Sequence, residues 1–282
     1  MVMRTLQRAV ARWRSRRRRP VRRVLWLFLR GTAVRERVLF MLRELPRRHV
    51  VARYRLRDSG LSVFIRHGTA DIATLDEVFY HGYYEPPPPV LERLAGLGRP
   101  PAILDLGANI GLFDAYILGL FPAARVTAVE ADPANAQILR RCAEANRTTG
   151  DWRVVEAVGS NRDGTVAFAP GGYSLSRIAG PDEAGEPTKA VDVFRYLADA
   201  DLLKMDFEGG EWEVLTDPRL AAAPAVALVL EYHPHLCPEA DPRVAALRLL
   251  RRAGYECGPV RFVHGDSGTV WAWRPGAAQR AS

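Results

Sequence analysis

Three short stretches of the chain carry residues whose types and spacing suit chemistry. One is Asp105 to Gly111 (DLGANIG), where an acid precedes a glycine-rich turn. Another is Lys204 to Glu208 (KMDFE), where charged and apolar residues alternate, and the third is Glu231 to His233 (EYH). Side chains of these types bind cationic ligands, accept hydrogen bonds from hydroxyl groups and take up protons. The chain therefore has the groups for a polar binding site and for proton transfer from a hydroxyl.

The glycine turn follows a predicted buried strand and has the pattern D-x-G-x-x-x-G rather than G-x-G-x-x-G. A carboxylate two residues before the first glycine would repel a pyrophosphate, but it suits a cationic ligand that carries an ammonium group. S-adenosylmethionine has an amino-acid end and a sulfonium. Glu130, at the end of the next predicted strand, would accept hydrogen bonds from its ribose hydroxyls. The alternative is an ordinary strand-to-helix turn with a capping Asp105 and an exposed Glu130.

The other two stretches supply the candidates for proton transfer. In an extended strand Lys204, Asp206 and Glu208 would share one face, with Glu231 and His233 at the same sheet edge. We expect Asp206 or His233 to take the proton of a hydroxyl nucleophile, and Lys204 to pair with Asp206 or Glu231. The alternative is a structural ion pair between two central strands, with His233 capping a loop. The carboxylates could also bind a divalent cation, although their spacing does not demand one.

Strands that alternate with helices must position these groups. Buried strands are predicted at 102–106, 125–130, 152–158, 202–207 and 225–232, and helices at 112–120, 133–145 and 242–253. An antiparallel pair at 261–264 and 269–273 follows them. The pattern predicts an α/β fold with a mostly parallel sheet that is covered on both faces.

The segments around this core have weaker patterns. A hairpin is predicted at 53–67, with its turn at 58–60, and short helices at 74–80 and, after a run of prolines, at 90–97. Two glycine-containing turns, at 163–164 and 171–172, predict an inserted hairpin that runs to about residue 178. The aromatic residues before the core would wall a substrate pocket or seal the core; they are Phe79, Tyr80, Tyr83 and Tyr84.

Charge divides the chain of 282 residues into two parts. Residues 1–57 hold 19 Arg and two acids, so the formal net charge of +8 comes from this part, and residues 58–282 have an excess of acids. We therefore expect an arginine-rich arm at 1–57 and a single functional domain at 58–282. Apolar residues at helical spacing, from Val34 to Leu45, predict an amphipathic helix that would contact an anionic membrane or another polyanion. The alternative is a disordered tail followed by a helix packed on the body.

Composition narrows the class of protein further. Apolar residues make up 48% and charged residues 26% of the chain, which excludes a wholly disordered chain, a collagen-like repeat and a disulfide miniprotein. The apolar run Val24 to Leu29 is too short for a transmembrane helix or the core of a signal peptide. Three widely spaced cysteines argue against a zinc site and a disulfide framework. We expect a cytoplasmic protein, which the basic arm could bring to a membrane periphery.

Three motifs resemble those of the FkbM-type methyltransferase family: Ile103 to Gly111 (ILDLGANIG), Val129 to Pro133 (VEADP) and Leu203 to Glu211 (LKMDFEGGE). The resemblance runs from about residue 60 to 275, and Gly210 is a mild departure from it. It implies the class I, Rossmann-like methyltransferase fold, with a seven-stranded, mostly parallel sheet and helices on both faces. It also implies S-adenosylmethionine-dependent O-methylation of a small molecule or sugar. The cofactor-binding residues that it implies are Asp105, Gly107, Ala108, Asn109, Gly111, Glu130 and, on a looser match, Glu156 and Ala157.

Two other functions stay open at this level. The arginine arm would suit a nucleic-acid methyltransferase, but the chain has no (N/D)-P-P-(Y/F/W) tetrapeptide, and its prolines at 86–89 precede the first core strand. A non-catalytic domain that binds the cofactor and serves as an interaction module is the other alternative. We expect a small-molecule or glycan acceptor and no specific nucleic acid, whereas the sequence leaves the acceptor's identity and the oligomeric state undetermined.

Overall fold

A computed structural model describes residues 28–45, 49–148, 151–169, 177–178 and 185–276. The arginine run at 16–19, the apolar run up to residue 27 and the glycine pair at 171–172 lie outside the described residues.

The described strands fall in one large and two small sheets. In chain order they are β1 (Val51–Arg55), β2 (Ser62–Arg66), β3 (Ala102–Leu106), β4 (Arg125–Glu130), β5 (Asp151–Glu156), β6 (Val158–Ser160), β7 (Gly164–Ala169), β8 (Arg177–Ile178), β9 (Glu186–Asp192), β10 (Leu202–Met205), β11 (Ala227–Tyr232), β12 (Glu256–Cys257), β13 (Arg261–His264) and β14 (Ser267–Trp273).

The described helices are mostly short. In chain order they are α1 (Arg37–Glu44), α2 (Asp71–Leu75), α3 (Pro88–Ala95), α4 (Leu112–Leu120), α5 (Pro133–Ala145), α6 (Phe194–Leu197), α7 (Glu211–Thr216), α8 (Arg219–Ala222) and α9 (Pro242–Arg252). A 3-10 turn spans Gly31–Ala33, and a π-helical turn, Asp76–His81, continues α2. None of the helices in the described ranges is long and apolar enough to cross a membrane.

The large sheet has the strand order β12-β14-β11-β10-β3-β4-β5, and β13 pairs with β14 beside this path. The five strands from β11 to β5 are parallel to their neighbours, whereas β14 joins β11 antiparallel. The predicted seven-stranded, mostly parallel sheet is therefore confirmed.

Alternate side chains of the central strands enter two separate cores. Ile103 and Leu202 pack with α4, α5 and the β1–β2 hairpin on one face. Leu104 and Leu203 pack with α7 and α9 on the other. Both faces of a parallel sheet must be covered because its strands are apolar on both sides. The expected helices on both faces are thus present.

The inserted segment differs from the predicted hairpin. The strand predicted at 152–158 divides at Ala157 into β5, in the large sheet, and β6, in a second sheet of order β6-β9-β7-β8. The main antiparallel partner of β7 is β9, over five residue pairs, whereas β8 contributes two residues. A turn signal is present near residue 171, but residues 186–192 have no alternating strand pattern, so the sequence did not predict β9 as the partner of β7.

The predicted boundary between residues 57 and 58 falls inside the β1–β2 hairpin, whose strands pair over five residues. Val34 and Phe40 are fully buried, and the Phe40 ring packs edge-on against Tyr54 and His67. The chain from residue 28 onward therefore packs on the body, and α1 is held by Phe40. Of the apolar residues predicted to form one face, Val34 is buried, whereas Val38 is 69% exposed and Leu42 is 60% exposed.

Candidate functional site

The carboxyl ends of the central parallel strands open into a cavity of about 500 Å³. Open α/β sheets bind ligands at this edge, and ligand pockets typically enclose ~300–1,000 Å³. The glycine turn and Glu130 line one part of the cavity, and a group of acids with His233 lines another. The predicted site residues that line it are Gly107, Ala108, Asn109, Glu130, Ala157, Lys204, Asp206, Glu231 and His233.

The glycine turn brings backbone close to the cavity. Gly107 has φ +78°, and a Cβ there would lie 1.8 Å from the backbone oxygen of Asp206, so no other residue fits. The amides of Gly107 and Ala108 donate to the carbonyl oxygen of Val129 at 3.0 and 3.1 Å. The next residue, Asn109, has φ +51° and lines the cavity. The turn is thus held against both neighbouring strands.

Glu130 has the geometry expected of a hydroxyl-binding residue. Its Oε2 accepts a hydrogen bond from the Asn109 amide and its Oε1 one from the Asp132 amide, each at 2.8 Å. Each oxygen keeps further acceptor capacity for a ligand. Burial raises the pKa of Glu130 to about 7, although the two amides act to lower it. Beside it the Oδ1 atom of Asn109 is buried without a hydrogen-bond partner, so the site has an acceptor for a polar ligand to satisfy.

Asp105 does not reach the cavity as expected. Its carboxylate is fully buried, and Lys204, its direct neighbour in the parallel β3–β10 register, places Nζ 3.0 Å from Oδ1. Lys204 Nζ also donates to the carbonyl oxygen of Gly107 at 2.7 Å. Asp105 is not among the described residues that line the cavity, so its effect on a ligand would pass through Lys204 and the glycine turn.

The same face holds a second buried acid. Trp152 Nε1 donates to Asp114 Oδ2 at 3.0 Å. Burial, and then the adjacent Asp105 carboxylate, raise the pKa of Asp114 well above its usual range. Asp114 therefore takes up a proton more readily than an ordinary carboxyl group, whereas Asp105 is the partner of Lys204. Burial acts to lower the pKa of Lys204, but the charges of Asp105 and Asp206 outweigh it and raise that pKa.

Two other expected cofactor residues also lie outside the cavity lining. Gly111, with φ +82°, directly precedes α4 as its N-cap, and a Cβ there would lie 2.6 Å from Leu139 and 2.7 Å from Trp152. It therefore allows α4 to pack closely rather than contacting a ligand. Glu156 is exposed and forms an ion pair with Arg140. Its neighbour Ala157, which lies between β5 and β6 where the chain leaves the large sheet, is the one that lines the cavity.

Tyr84 joins two of the expected catalytic residues. Its Oη lies 2.8 Å from Asp206 Oδ2 and 2.7 Å from Glu231 Oε2. A phenol has one proton, so one of these bonds needs a proton from a carboxyl group. Burial, and then the charge of Asp206, raise the pKa of Glu231 to about 8. Glu231 therefore takes up a proton more readily than an ordinary carboxyl group, and the Tyr84 hydroxyl bridges it to Asp206.

His233 lies at the centre of the acidic group. The buried Glu211 carboxylate accepts hydrogen bonds from both Nδ1 and the backbone amide of His233, each at 2.9 Å. His233 Nε2 lies 3.7 Å from Glu208, 3.9 Å from Glu231 and 4.0 Å from Asp206. Burial acts to lower the pKa of His233, but the hydrogen bond to Glu211 and the charges of Glu211, Asp206 and Glu208 raise it to about 10. The imidazolium is thus the internal cation of the group.

Among the described residues, Asp206, Glu208 and His233 could together hold a metal ion, because each offers a ligand atom within 4.8 Å of the others. A histidine must lose its proton to bind a metal. Since the carboxylates favour the protonated form of His233, metal and proton would compete for the same nitrogen. A metal requirement is therefore not a consequence of this geometry.

Sequence reasoning assigned no role to two residues of this site. Glu211 orients His233 from a helix that begins at Glu211 itself, and its only signal was its place in the LKMDFEGGE motif. Glu77 comes from the π-helical turn and lines the cavity, where burial and the charge of Asp206 raise its pKa to about 7. The sequence held no signal for Glu77. Tyr84, by contrast, was among the aromatic residues expected to wall a pocket.

Comparison with protein families decides what this site belongs to. Residues 105–257 match the methyltransferase FkbM domain, which is more than half of the chain and spans both groups of site residues. The chain belongs to the FkbM methyltransferase family. The matched range begins at Asp105 of the glycine turn and includes Glu130, Asp206 and His233. Tyr84 lies before it, so this FkbM methyltransferase completes its site with a residue from outside the matched domain.

Individual relatives are more distant. Methyltransferase sdnD of Sordaria araneosa is 29% identical over 160 residues, which are 43% of this chain and 62% of that protein, less than two thirds of its length. A SAM-dependent methyltransferase from Agrobacterium tumefaciens aligns with a TM-score of 0.46 and 13% identity over 82% of this chain and 72% of its own. P. horikoshii TYW2, in complex with MeSAdo, aligns with a TM-score of 0.41 and 15% identity over 81% of this chain and 73% of its own.

Proposed function

We propose that this protein is an S-adenosylmethionine-dependent methyltransferase that methylates a hydroxyl oxygen of a small molecule or a sugar. The observation that carries the proposal is that one cavity joins Glu130 and Asn109 to the carboxylates of Asp206 and Glu231. The first pair suits the cofactor, and the second suits a hydroxyl that must lose a proton. Membership of the FkbM family supports group transfer as the reaction.

The residues present fit S-adenosylmethionine. Glu130 would accept hydrogen bonds from the ribose hydroxyls, and the unpartnered Oδ1 of Asn109 would accept one from a donor of the cofactor. The carboxylates of the cavity favour a ligand with positive charge. When bound, S-adenosylmethionine supplies a methyl carbon whose C–S bond breaks, with the electron pair passing to sulfur, as the new C–O bond forms.

Asp206 is the residue that would take the hydroxyl proton. Its side chain is 26% exposed, and its Oδ1 carries no hydrogen bond from any described residue, whereas Oδ2 accepts one from Tyr84. Lys204, 3.6 Å away, and the imidazolium of His233 stabilise the charge of this carboxylate before the proton arrives. Methyl transfer mainly needs an acceptor oxygen held in line with the methyl group, and a positioned base adds to its rate.

The acidic lining also argues for an uncharged acceptor. Glu77, Asp206, Glu208 and Glu231 face the cavity, and Lys204 is the described lysine among them. Phosphate groups would meet repulsion there, because nucleic-acid binding depends on neutralising phosphate charge. A hydroxylated small molecule or a glycan avoids this cost.

The first test is calorimetric titration of the full chain with S-adenosylmethionine and, separately, with NAD. We expect saturable binding of the first alone, and binding weakened at least about tenfold by Glu130→Gln, since a hydrogen bond to a charged group contributes ~1.5–3 kcal/mol. Glu156→Gln, an exposed carboxylate outside the cavity lining, is the matched control. Failure of a folded protein to bind S-adenosylmethionine would overturn the assignment of the cofactor.

The second test addresses the reaction. Transfer of a labelled methyl group to a panel of polyols, phenols and sugars should identify an acceptor. Asp206→Asn should then lower kcat by about 10²–10⁴-fold, as expected for loss of a general base, with S-adenosylmethionine binding retained. Transfer to amines or to nucleic acid in preference to hydroxyl compounds would refute O-methylation while leaving methyl transfer itself intact.

A further inference from the structure

The outer face of α1 is apolar and uncovered by the rest of the described chain. Val38, Leu42 and Leu45 follow each other at intervals of four and three residues, so they lie along one stripe of the helix. They are 69%, 60% and 38% exposed, and Leu39 beside them is 41% exposed. Phe28, 44% exposed, extends this patch beyond the start of the helix, where Arg37 stacks on its ring. We call Phe28, Val38, Leu39, Leu42 and Leu45 the α1 patch.

The buried side chain of Phe40 fixes which face of α1 points away from the body. Phe40 is fully buried against Tyr54 and His67, and Glu44, one turn later, binds His67 Nδ1 at 2.9 Å. These two contacts fix the inner face of α1. The α1 patch is on the opposite side, so it cannot turn inward without breaking them.

The charge around the α1 patch is positive. The two acids of residues 1–57 are both engaged within the fold: Glu44 with His67, and Glu36 with Arg55, whose backbone amide donates to it at 2.9 Å. The same stretch holds 19 arginines, of which Arg37 stacks on Phe28 of the patch itself, whereas the Arg43 guanidinium donates to Tyr54. The exposed surface here therefore combines leucine and valine side chains with Arg37, in a stretch whose two acids are both paired.

We propose that the α1 patch docks on an anionic lipid bilayer, with its apolar side chains inserted at the headgroup boundary and the arginines bound to acidic headgroups. Interfacial helices have this combination of one apolar face with a basic surround. Attraction between opposite charges would favour binding to RNA equally well. Contacts with phosphate groups, however, do not require four exposed aliphatic side chains on one helix. Apolar insertion is what favours a bilayer as the partner.

The test is co-sedimentation of the full chain with vesicles of phosphatidylcholine alone and with vesicles that also contain phosphatidylglycerol. We expect binding to the anionic vesicles that weakens as salt is raised. Val38→Glu with Leu42→Glu should reduce it at least about tenfold, since each substitution removes an aliphatic side chain that would insert into the bilayer and adds repulsion from the acidic headgroups. Val244→Glu, at a 53% exposed valine of α9, is the matched control and should bind as the wild type does.

Three results would overturn the proposal. One is absence of vesicle binding by the wild type. Another is equal binding by the Val38→Glu, Leu42→Glu protein, shown by circular dichroism to be folded; Val38→Ser with Leu42→Ser replaces it if it unfolds. The last is a dimer in sedimentation velocity that this double variant dissociates, which would assign the patch to a second copy of the chain. None of these results depends on the methyltransferase assignment.

Discussion

The Nζ atom of Lys204 lies 3.0 Å from Oδ1 of Asp105, and both side chains are almost fully buried in the centre of the sheet. The pair follows from the β3–β10 register, which sets the two residues side by side on one face. Lys204 Nζ also donates a hydrogen bond to the carbonyl oxygen of Gly107 and lies 3.6 Å from Asp206 Oδ2. One ammonium group therefore connects the glycine turn with the part of the cavity that contains Asp206.

Removing Lys204 should therefore destabilise the whole fold. Lys204→Met leaves Asp105 as an unpaired buried charge, for which we expect a loss of ~3–5 kcal/mol in the free energy of unfolding. Lys189, the other lysine of the chain, is exposed, so Lys189→Met is the matched control. Urea denaturation measures both. Adding Asp105→Asn to Lys204→Met should recover part of the loss, and equal stability of the two single variants would contradict this account.

Binding of S-adenosylmethionine should depend on the ionisation of Glu130. Its pKa is raised to about 7, and the ionised form is the better acceptor for ribose hydroxyls. Affinity should therefore rise with pH up to about 7 and level off above it, with a slope of at most about tenfold per unit below it. The ligand's own amino group titrates near ~7.7–8.0 and affects wild type and Glu130→Gln alike. Calorimetry across pH should show the change in affinity near pH 7 in the wild type and not in Glu130→Gln.

Loss of the Tyr84 hydroxyl should affect turnover rather than cofactor binding. In Tyr84→Phe, Asp206 and Glu231 lose the hydroxyl that bridges them, so Asp206 is no longer held in position by Tyr84. We expect kcat to fall about tenfold or more, with the affinity for S-adenosylmethionine unchanged. Tyr83→Phe, at the neighbouring half-buried tyrosine, is the control. A change in cofactor affinity of the same size would contradict this prediction, because it would assign Tyr84 to the part of the cavity that binds the cofactor.

Two substitutions in one helix can test whether residues 28–57 belong to the body. Phe40→Ala removes a fully buried ring, and such changes cost ~3–5 kcal/mol. Leu42→Ala, two residues later and 60% exposed, should change the unfolding free energy by less than about 0.5 kcal/mol. Chemical denaturation compares them directly. Similar values for the two would mean that α1 is not packed as described.

Much of the central fold could be predicted because its signals are local. The limits predicted for 102–106, 112–120, 125–130 and 133–145 coincide with β3, α4, β4 and α5. At the start of α5 the Asp132 side chain accepts hydrogen bonds from the amides of Ala134 and Asn135, and Pro133 occupies the first turn. The capping residue, the proline and the helical spacing of the apolar residues all lie within a few positions of one another, so they can be recognised from the sequence alone.

The sequence by itself determined the order of the elements, the glycine turn and the types of charged residue at the sheet edge. Only the tertiary structure decided which of those residues meet. Tyr84 reaches Asp206 across 122 positions of the chain, Asp105 is screened from the cavity by Lys204, and Glu156 points outward while Ala157 points in. A sequence pattern indicates only how a residue relates to its neighbours along the chain. Burial and ion pairing depend on the register of strands that are distant in sequence.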